Sequence, residues 1–357
     1  MKAIELFFEH KIGINNFFPR KKEIDSNKLI ISGSPFSGKT SLIMNHLQVN
    51  RFKNILYIDM NDTRSEDIDV FKILEFSKEK QVEIVVLENI EKLQHIELLA
   101  SLDRCILSCM QHIEIEGFDH LVLYPPDFEE FLMLYKKSSD VKNSFNPFFK
   151  HGSIPHLINL NDLEFTIREQ ELLALLAFRG INIPLLKQIA SLISHTSSTY
   201  RFYTQIKRYQ KISKDTIYKD MDFMLQNNIV YEIKEYKALK PQSRFFLFDH
   251  ALRDGLLASR DFIGVFANML FCEMIKKGEK TINFTKNIDF LLSDKRIGIV
   301  SAPFINKDGG IKKIESILKE IQEIDIIYFV TLGNEFDFIY KEVRCEGIPF
   351  WEWAIRE

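Results

Sequence analysis

Residues 28–50 read KLIISGSPFSGKTSLIMNHLQVN, and the architecture of the first domain follows from them. Their first part, KLIIS, is a short apolar run ending at a glycine, and SLIMNHLQVN after Thr40 reads as a helix. Between them Gly33-Ser34-Pro35-Phe36-Ser37-Gly38-Lys39-Thr40 matches GxxxxGK(S/T) at every fixed position, in the strand-to-helix setting that this phosphate-binding pattern requires. The residue types explain the chemistry. Glycines let backbone N–H groups turn inward around phosphate oxygens, and the helix N-terminus adds a favourable dipole. Lys39 is expected to reach the β and γ phosphates and the Thr40 hydroxyl to hold Mg²⁺. The whole loop from Gly33 through Ser34, Pro35, Phe36, Ser37, Gly38, Lys39 and Thr40 to Ser41 is the expected nucleotide cradle.

Beyond this loop, ILYIDM (55–60), EIVVL (83–87), CILSC (105–109) and HLVLY (120–124) are further short apolar runs separated by helical segments. That alternation predicts an α/β domain with a parallel sheet covered on both faces. A loop of this kind needs a second acid at the end of a neighbouring strand to position Mg²⁺ through water. Glu88, after EIVVL, is the candidate, with Asp59 after ILYI competing. Asn89 stands next to Glu88, and an amide can orient water but cannot accept its proton at neutral pH. Ser108, at the end of CILS, is placed to hydrogen-bond the γ-phosphate or the attacking water. The expected catalytic set is therefore Lys39, Glu88, Asn89 and Ser108, with Thr40 and Glu88 serving the metal. No NKxD guanine-reading motif occurs, so ATP is preferred to GTP, and no LSGGQ stretch points to a transporter ATPase.

The chain has 357 residues, enough for two or three compact units, and 46% hydrophobic residues, which excludes a mostly disordered chain. Its 47 Lys+Arg against 50 Asp+Glu exclude a uniformly basic nucleic-acid coat but leave room for a local basic patch. Four cysteines, Cys105, Cys109, Cys272 and Cys345, form no CxxC pair, which suggests a reduced, cytoplasmic setting. The apolar runs fall short of the roughly 20 residues that span a bilayer, so no membrane association is expected.

After Pro125-Pro126 the pattern turns helical, and boundaries are expected near 160 and 248. Residues 201–214, RFYTQIKRYQKISK, carry Arg201, Lys207, Arg208, Lys211 and Lys214 with no acid between them. A helix expected from near Ser213 presents Lys214, Tyr218 and Lys219, and IVYEIKEY and RFFLFD form a strand pair beyond it. Helix, turn, helix and wing describe a winged helix-turn-helix, with Arg201, Lys207, Arg208, Lys211, Lys214 and Lys219 as candidate contacts to double-stranded DNA. Asp215, Asp220 and Asp222 on the same helix oppose that reading. From about Gly264 helix and strand alternate again.

The loop at 33–40, Glu88-Asn89-Ile90-Glu91-Lys92-Leu93, the ILSC strand, YPPDFEEFL from Tyr124, HGSIP from His151 and the closing IPFWEW together resemble an archaeal-type AAA ATPase. The resemblance covers nearly the whole chain and implies three modules: a P-loop ATPase domain with a small helical lid (1–160), a winged helix (161–248) and a domain like PD-(D/E)xK nucleases (249–357). It implies that Gly33, Gly38, Lys39 and Thr40 are Walker A contacts, Glu88 the Walker B acid, Ser108 sensor 1, and Gly152 with Pro155 a Gly-Gly-x-Pro element. Asn89 replaces the usual catalytic Glu, and Gly117-Phe118 stands where a Gly-Arg would offer an arginine finger, so turnover is expected to be slow. In the last module Glu273 and Asp289 resemble the first nuclease acids. Val300 and Ala302 occupy the places of a second acid and a lysine, so nuclease activity is expected to be lost. The expectation is an ATP- and Mg²⁺-binding switch, with a homo-oligomer or a protein partner as candidate assemblies. A DNA-binding regulator or scaffold with structural ATP, or a nuclease still active with unusual ligands, are the alternatives.

Overall fold

The computed structural model describes residues 2–9 and 18–356, and these divide into two compact units: residues 1–125 with 226–228, and 126–225 with 229–357.

The first unit is built on five parallel strands, β1 (Lys28–Ser32), β2 (Ile55–Asp59), β3 (Ile84–Ile90), β4 (Cys105–Cys109) and β5 (Asp119–Val122), in the order β2-β3-β4-β1-β5. Helices α1 (Lys2–Glu9), α2 (Lys39–Asn50) and α3 (Val70–Lys80) accompany it. Strand residues alternate between two cores. Ile30, Val85, Leu87 and Leu107 join Phe76 of α3, whereas Leu29, Ile31, Val86 and Ile106 join Leu42 and Ile43 of α2. Burial of both faces is why these strands read as continuous apolar runs. β1 is followed by a crossover to the far edge and β4 by one that passes β1 to β5, so the connections diverge beside the carboxyl end of β1, where a ligand crevice is expected in open α/β sheets. β3 runs beyond the expected 83–87 to Ile90 through a register shift after Leu87, where Asn89 takes φ +57°.

In the second unit α4 (Phe128–Leu134), α5 (Val141–His151), α6 (Asp162–Phe178) and α7 (Ile183–Ser191) come first. Thus the helices expected to close the first module pack within the second unit. Then follow β6 (Thr196–Ser197), α8 (Thr199–Ile206), α9 (Lys214–Gln226), β7 (Val230–Glu235) and β8 (Ser243–Leu247). The antiparallel hairpin of β7 and β8 follows α8 and α9. α10 (Leu252–Leu256), α11 (Phe262–Lys276), β9 (Asn283–Phe284), β10 (Phe290–Leu292), β11 (Ile297–Ser301), α12 (Lys307–Leu318), β12 (Ile326–Thr331), β13 (Phe336–Tyr340), β14 (Val343–Pro349) and α13 (Phe350–Ala354) complete the chain. Strands β6 to β14 join one sheet, β13-β14-β12-β11-β10-β9-β7-β8-β6, because β7 pairs in parallel with β9 through Lys234↔Asn283 and Glu235↔Phe284.

Glu169 of α6 is 6% exposed and faces Gly255 of α10, where an added Cβ would lie 2.4 Å from its carboxyl carbon. Burial, then Asp254 and Asp249, push this carboxyl from 4.5 up to about 7. The native state thus holds the proton more tightly than the unfolded chain does. The stability contributed is present below about pH 4.5 and is lost as pH rises through about 7. Glu169→Gln is expected to flatten this slope and raise the thermal midpoint at pH 8; unchanged pH profiles of unfolding would remove Glu169 as its source.

Candidate nucleotide site

The loop between β1 and α2 is shaped by residues with positive φ: Gly33 at +151°, Phe36 at +62° and Gly38 at +94°. At Gly33 a side chain is excluded outright, since a Cβ would fall 2.1 Å from the Leu123 carbonyl oxygen just after β5. The loop folds around the Lys39 ammonium, which donates to the carbonyls of Gly33 and Ser34, each at 2.9 Å. Ser34 and Ser37 are fully buried, and their hydroxyls have no hydrogen-bond partner among the described residues. Buried, unpaired hydroxyls are rare in folded proteins, and beside an ammonium they suit phosphate oxygens. Pro35 is buried, Ser41 half-buried and Thr40 exposed at the start of α2.

Thr40 Oγ1 donates to Glu88 Oε2 at 3.1 Å. Tyr57 Oη donates to the same oxygen, while Glu88 Oε1 is buried without a partner among the described residues. Burial pushes the Glu88 carboxyl above the usual carboxylate range, against the hydrogen bonds from Tyr57 and Thr40. Tyr57 is likewise raised, by burial first and the Glu88 charge second. An oxygen pair on a threonine and a carboxylate, next to the loop lysine, fits a Mg²⁺ held directly by Thr40 and through water by Glu88. Asp59, the competing acid, is engaged otherwise: its Oδ1 accepts from Asn89 Nδ2 at 2.8 Å and from the Asn61 backbone at 2.9 Å. Ser108 of β4 is buried and stands in register with Ile31 of β1. Thus Lys39, Thr40 and Glu88 converge, while the Asn89 amide is committed to Asp59 on β2.

Sequence reasoning missed Tyr57 and Arg20. The Arg20 guanidinium donates to the Ser37 carbonyl in the loop at 2.5 Å and to the Tyr124 carbonyl after β5 at 2.9 Å, bracing the loop against the strand that flanks it. Gly117, in the pair Gly117-Phe118, has φ +84° in a turn before β5.

Within the second unit, Gly152 has φ +70°, and a Cβ there would lie 2.1 Å from Asp249 Oδ1. Asp249 accepts from Ser153 N at 2.9 Å and from Ala251 N at 2.9 Å, and Pro155 opens a short helical turn beyond. Arg201, Lys207, Arg208, Lys211, Lys214 and Lys219 are all exposed on α8, the segment after it and α9. Glu273 and Asp289 are not brought together on a metal. Glu273 accepts from Phe128 N at 3.1 Å, and Asp289 pairs with Arg244 at 3.1 Å and accepts from Ser301 N at 2.9 Å. Among the described residues no group of three or more His, Cys, Asp or Glu side chains is placed to hold a metal ion. All four cysteines are free and buried; burial pushes the Cys109 thiol up to about 11. Among the described residues no helix is long and apolar enough to cross a membrane.

The strand order and the loop after β1 fit a P-loop nucleotide-binding domain. No protein-family profile matches the chain, and no curated protein matches it. Among solved structures the chain is similar to a Walker-type ATPase of Pyrococcus abyssi, at 12% identity over 64% of this chain and 90% of that one, with a TM-score of 0.43. It is also similar to the ORC1 protein of Aeropyrum pernix in complex with DNA, at 13% identity over 65% of this chain and 87% of that one, with a TM-score of 0.31. A third likeness is to Drosophila ORC bound to AT-rich DNA and Cdc6, at 12% identity over 65% and 85%, with a TM-score of 0.18. At such values function has to be read from the geometry of the site itself.

Proposed function

We propose that this chain is a cytoplasmic ATP- and Mg²⁺-binding P-loop protein of the AAA type that hydrolyses ATP slowly and works as a nucleotide-dependent switch. The observation that carries the reading is the convergence of Lys39, Thr40 and Glu88 beside the unpaired hydroxyls of Ser34 and Ser37. Mg²⁺, when bound, supplies charge neutralisation across the β and γ phosphates. Gly33, Ser34, Pro35, Phe36, Ser37, Gly38 and Ser41 form the cradle around Lys39, with Thr40 and Glu88 serving the metal and Ser108 facing the γ-phosphate. The preference for ATP rests on the missing NKxD motif.

Slow turnover follows from the water side of the site. A glutamate next to the metal acid would accept a proton; Asn89 cannot, and its amide is already bonded to Asp59. An arginine finger is worth about 10³–10⁵ in rate, and P-loop enzymes without one turn over at roughly 10⁻⁴–10⁻³ s⁻¹. A multiple-turnover assay of the full chain with ATP and Mg²⁺ is expected to give a rate below about 10⁻² s⁻¹. Turnover near 1 s⁻¹ that is lost in Glu88→Gln would refute the switch and restore an active hydrolase. A second copy or a protein partner is the proposed source of any arginine.

A second reading is favoured by the exposed basic face of the winged-helix module, residues 161–248, which we propose contacts nucleic acid. The module at 249–357 is proposed as a nuclease-like domain without activity, since Val300 and Ala302 offer no ligand and Asp289 is paired with Arg244.

A further inference from the structure

The face shared by α8, the 207–214 segment and the start of α9 carries more than charge. Lys214 Nζ lies 5.7 Å from the ring centroid of Tyr200 on α8 and 5.3 Å from that of Tyr218 on its own helix, so one ammonium bridges two aromatic rings. Tyr200 and Tyr203 are 6.1 Å apart, and Lys207 sits 5.3 Å from the Tyr203 ring. The rings are open to solvent: Tyr200 is 55% exposed, Tyr209 62% and Tyr218 39%. Between Thr199 and Lys214 the chain has basic residues and tyrosines but no acid.

The acids lie on an adjoining ridge. Asp215 and Asp222, both exposed, are seven positions apart on α9 and so share one face with Lys219. Lys214 and Tyr218, four positions apart, form the neighbouring stripe, and Tyr200 contacts this stripe through Lys214. A helix that entered the major groove of a duplex would carry Asp215 and Asp222 between two walls of phosphate, which like-charge repulsion opposes. A single strand has no second wall. It can follow the Tyr200–Lys214–Tyr218 stripe and leave the carboxylates in water.

We propose that this face binds single-stranded nucleic acid, with unpaired bases stacking on Tyr200, Tyr209 and Tyr218 and the backbone running past Lys207, Arg208, Lys211 and Lys214. This deepens the nucleic-acid reading above and rests on it. Exposed tyrosines interleaved with lysines supply the two elements such binding needs, a stacking platform and a positive track. Sequence preference is weak, because every base has a π-face.

The test is a fluorescence-anisotropy titration of the full chain with a labelled oligo-dT 20-mer, and with a duplex of equal length, at several salt concentrations. The single strand is expected to bind at least about tenfold more tightly than the duplex. Tyr200→Ala and Tyr218→Ala each weaken single-strand binding about 5- to 100-fold, whereas Tyr200→Phe, which keeps the ring, binds as wild type. Lys207→Ala and Lys211→Ala each lower the salt slope by about 0.7. Duplex binding as tight as single-strand binding, or tyrosine-to-alanine variants that bind as wild type, overturns the single-strand proposal alone. Failure of both nucleic acids to bind at low salt overturns the nucleic-acid reading with it.

Discussion

Replacing Lys39 by alanine is expected to weaken binding of ATP with Mg²⁺ by on the order of 10²- to 10³-fold, read in a titration with a fluorescent ATP analogue. Lys39 is 8% exposed, and its ammonium is held inside the loop by the Gly33 and Ser34 carbonyls. It is therefore pre-positioned, so little side-chain entropy is lost when phosphate arrives. Truncating one partner of a buried, hydrogen-bonded charge pair costs about 2–5 kcal/mol, and each 1.4 kcal/mol is tenfold in affinity. The loss has a second component, because the cradle's buried Ser34 and Ser37 hydroxyls then face phosphate without the cation that balances it. Thr40→Ala is a useful companion, since it leaves the ammonium in place and removes the hydroxyl that meets Glu88, so its defect is confined to the Mg²⁺-dependent part of binding. A Lys39→Ala chain with wild-type helix content and wild-type affinity would place the nucleotide elsewhere, and the proposed function would fall with it.

The parts of this site that were legible in the sequence are those whose signal is local. The loop pattern sits within eight residues, and CILSC is buried at every position, which forces a run without polar alternation, whereas edge strand ILYID buries only Leu56 and Ile58 fully. The sequence makes Glu88 the candidate acid and leaves Asp59 as its competitor; the geometry gives the two different partners. Asp59 ends β2 and stands opposite Glu88 of β3 in register, yet Glu88 meets Thr40 while Asp59 meets Asn89. Tyr57 reads as one more strand residue. Its hydroxyl reaches Glu88 because Tyr57 pairs with Val86, which makes Glu88 its diagonal neighbour across β2 and β3, a relation that no local pattern encodes. Arg20 is more remote still: its bond to Tyr124 spans 104 positions. The bulge at Asn89 is illegible for another reason: asparagine tolerates a positive φ, but most asparagines do not adopt one, and the register shift between β3 and β4 that places it here is set by tertiary pairing. The same holds for the joining of β7 to β9, which makes one sheet from segments read as belonging to separate modules.

Glu273→Ala is expected to destabilise the second unit by about 3–5 kcal/mol, as befits one half of a buried ion pair. The carboxylate is fully buried, 3.5 Å from the ammonium of Lys276, whose side chain is 3% exposed. Its Oε2 also accepts from Phe128 N at the start of α4, where the helix dipole favours a negative charge. Lys276 in turn donates to the Pro126 carbonyl at 3.0 Å and to Ser153 Oγ at 3.1 Å. Burial alone would lower Lys276, but Glu273, Cys272, Asp249 and Asp127 around it carry it upward, so the ammonium stays charged. Removing Glu273 leaves that buried cation without its nearest counter-charge, which is the costly half of breaking a buried pair. Asp289→Ala is expected to cost less, since Asp289 is 29% exposed in its side chain whereas Glu273 is fully buried. The paired change Glu273→Leu with Lys276→Met separates the two meanings of Glu273. If the pair is structural, removing both charges restores most of the stability lost in Glu273→Ala, because a packed apolar pair avoids the desolvation penalty that the ion pair bears. Denaturant titration of the two single variants and the double variant reads this directly. A Glu273→Ala chain as stable as wild type, with a metal-dependent DNA nicking activity that the substitution abolishes, would return Glu273 to the role of a nuclease acid.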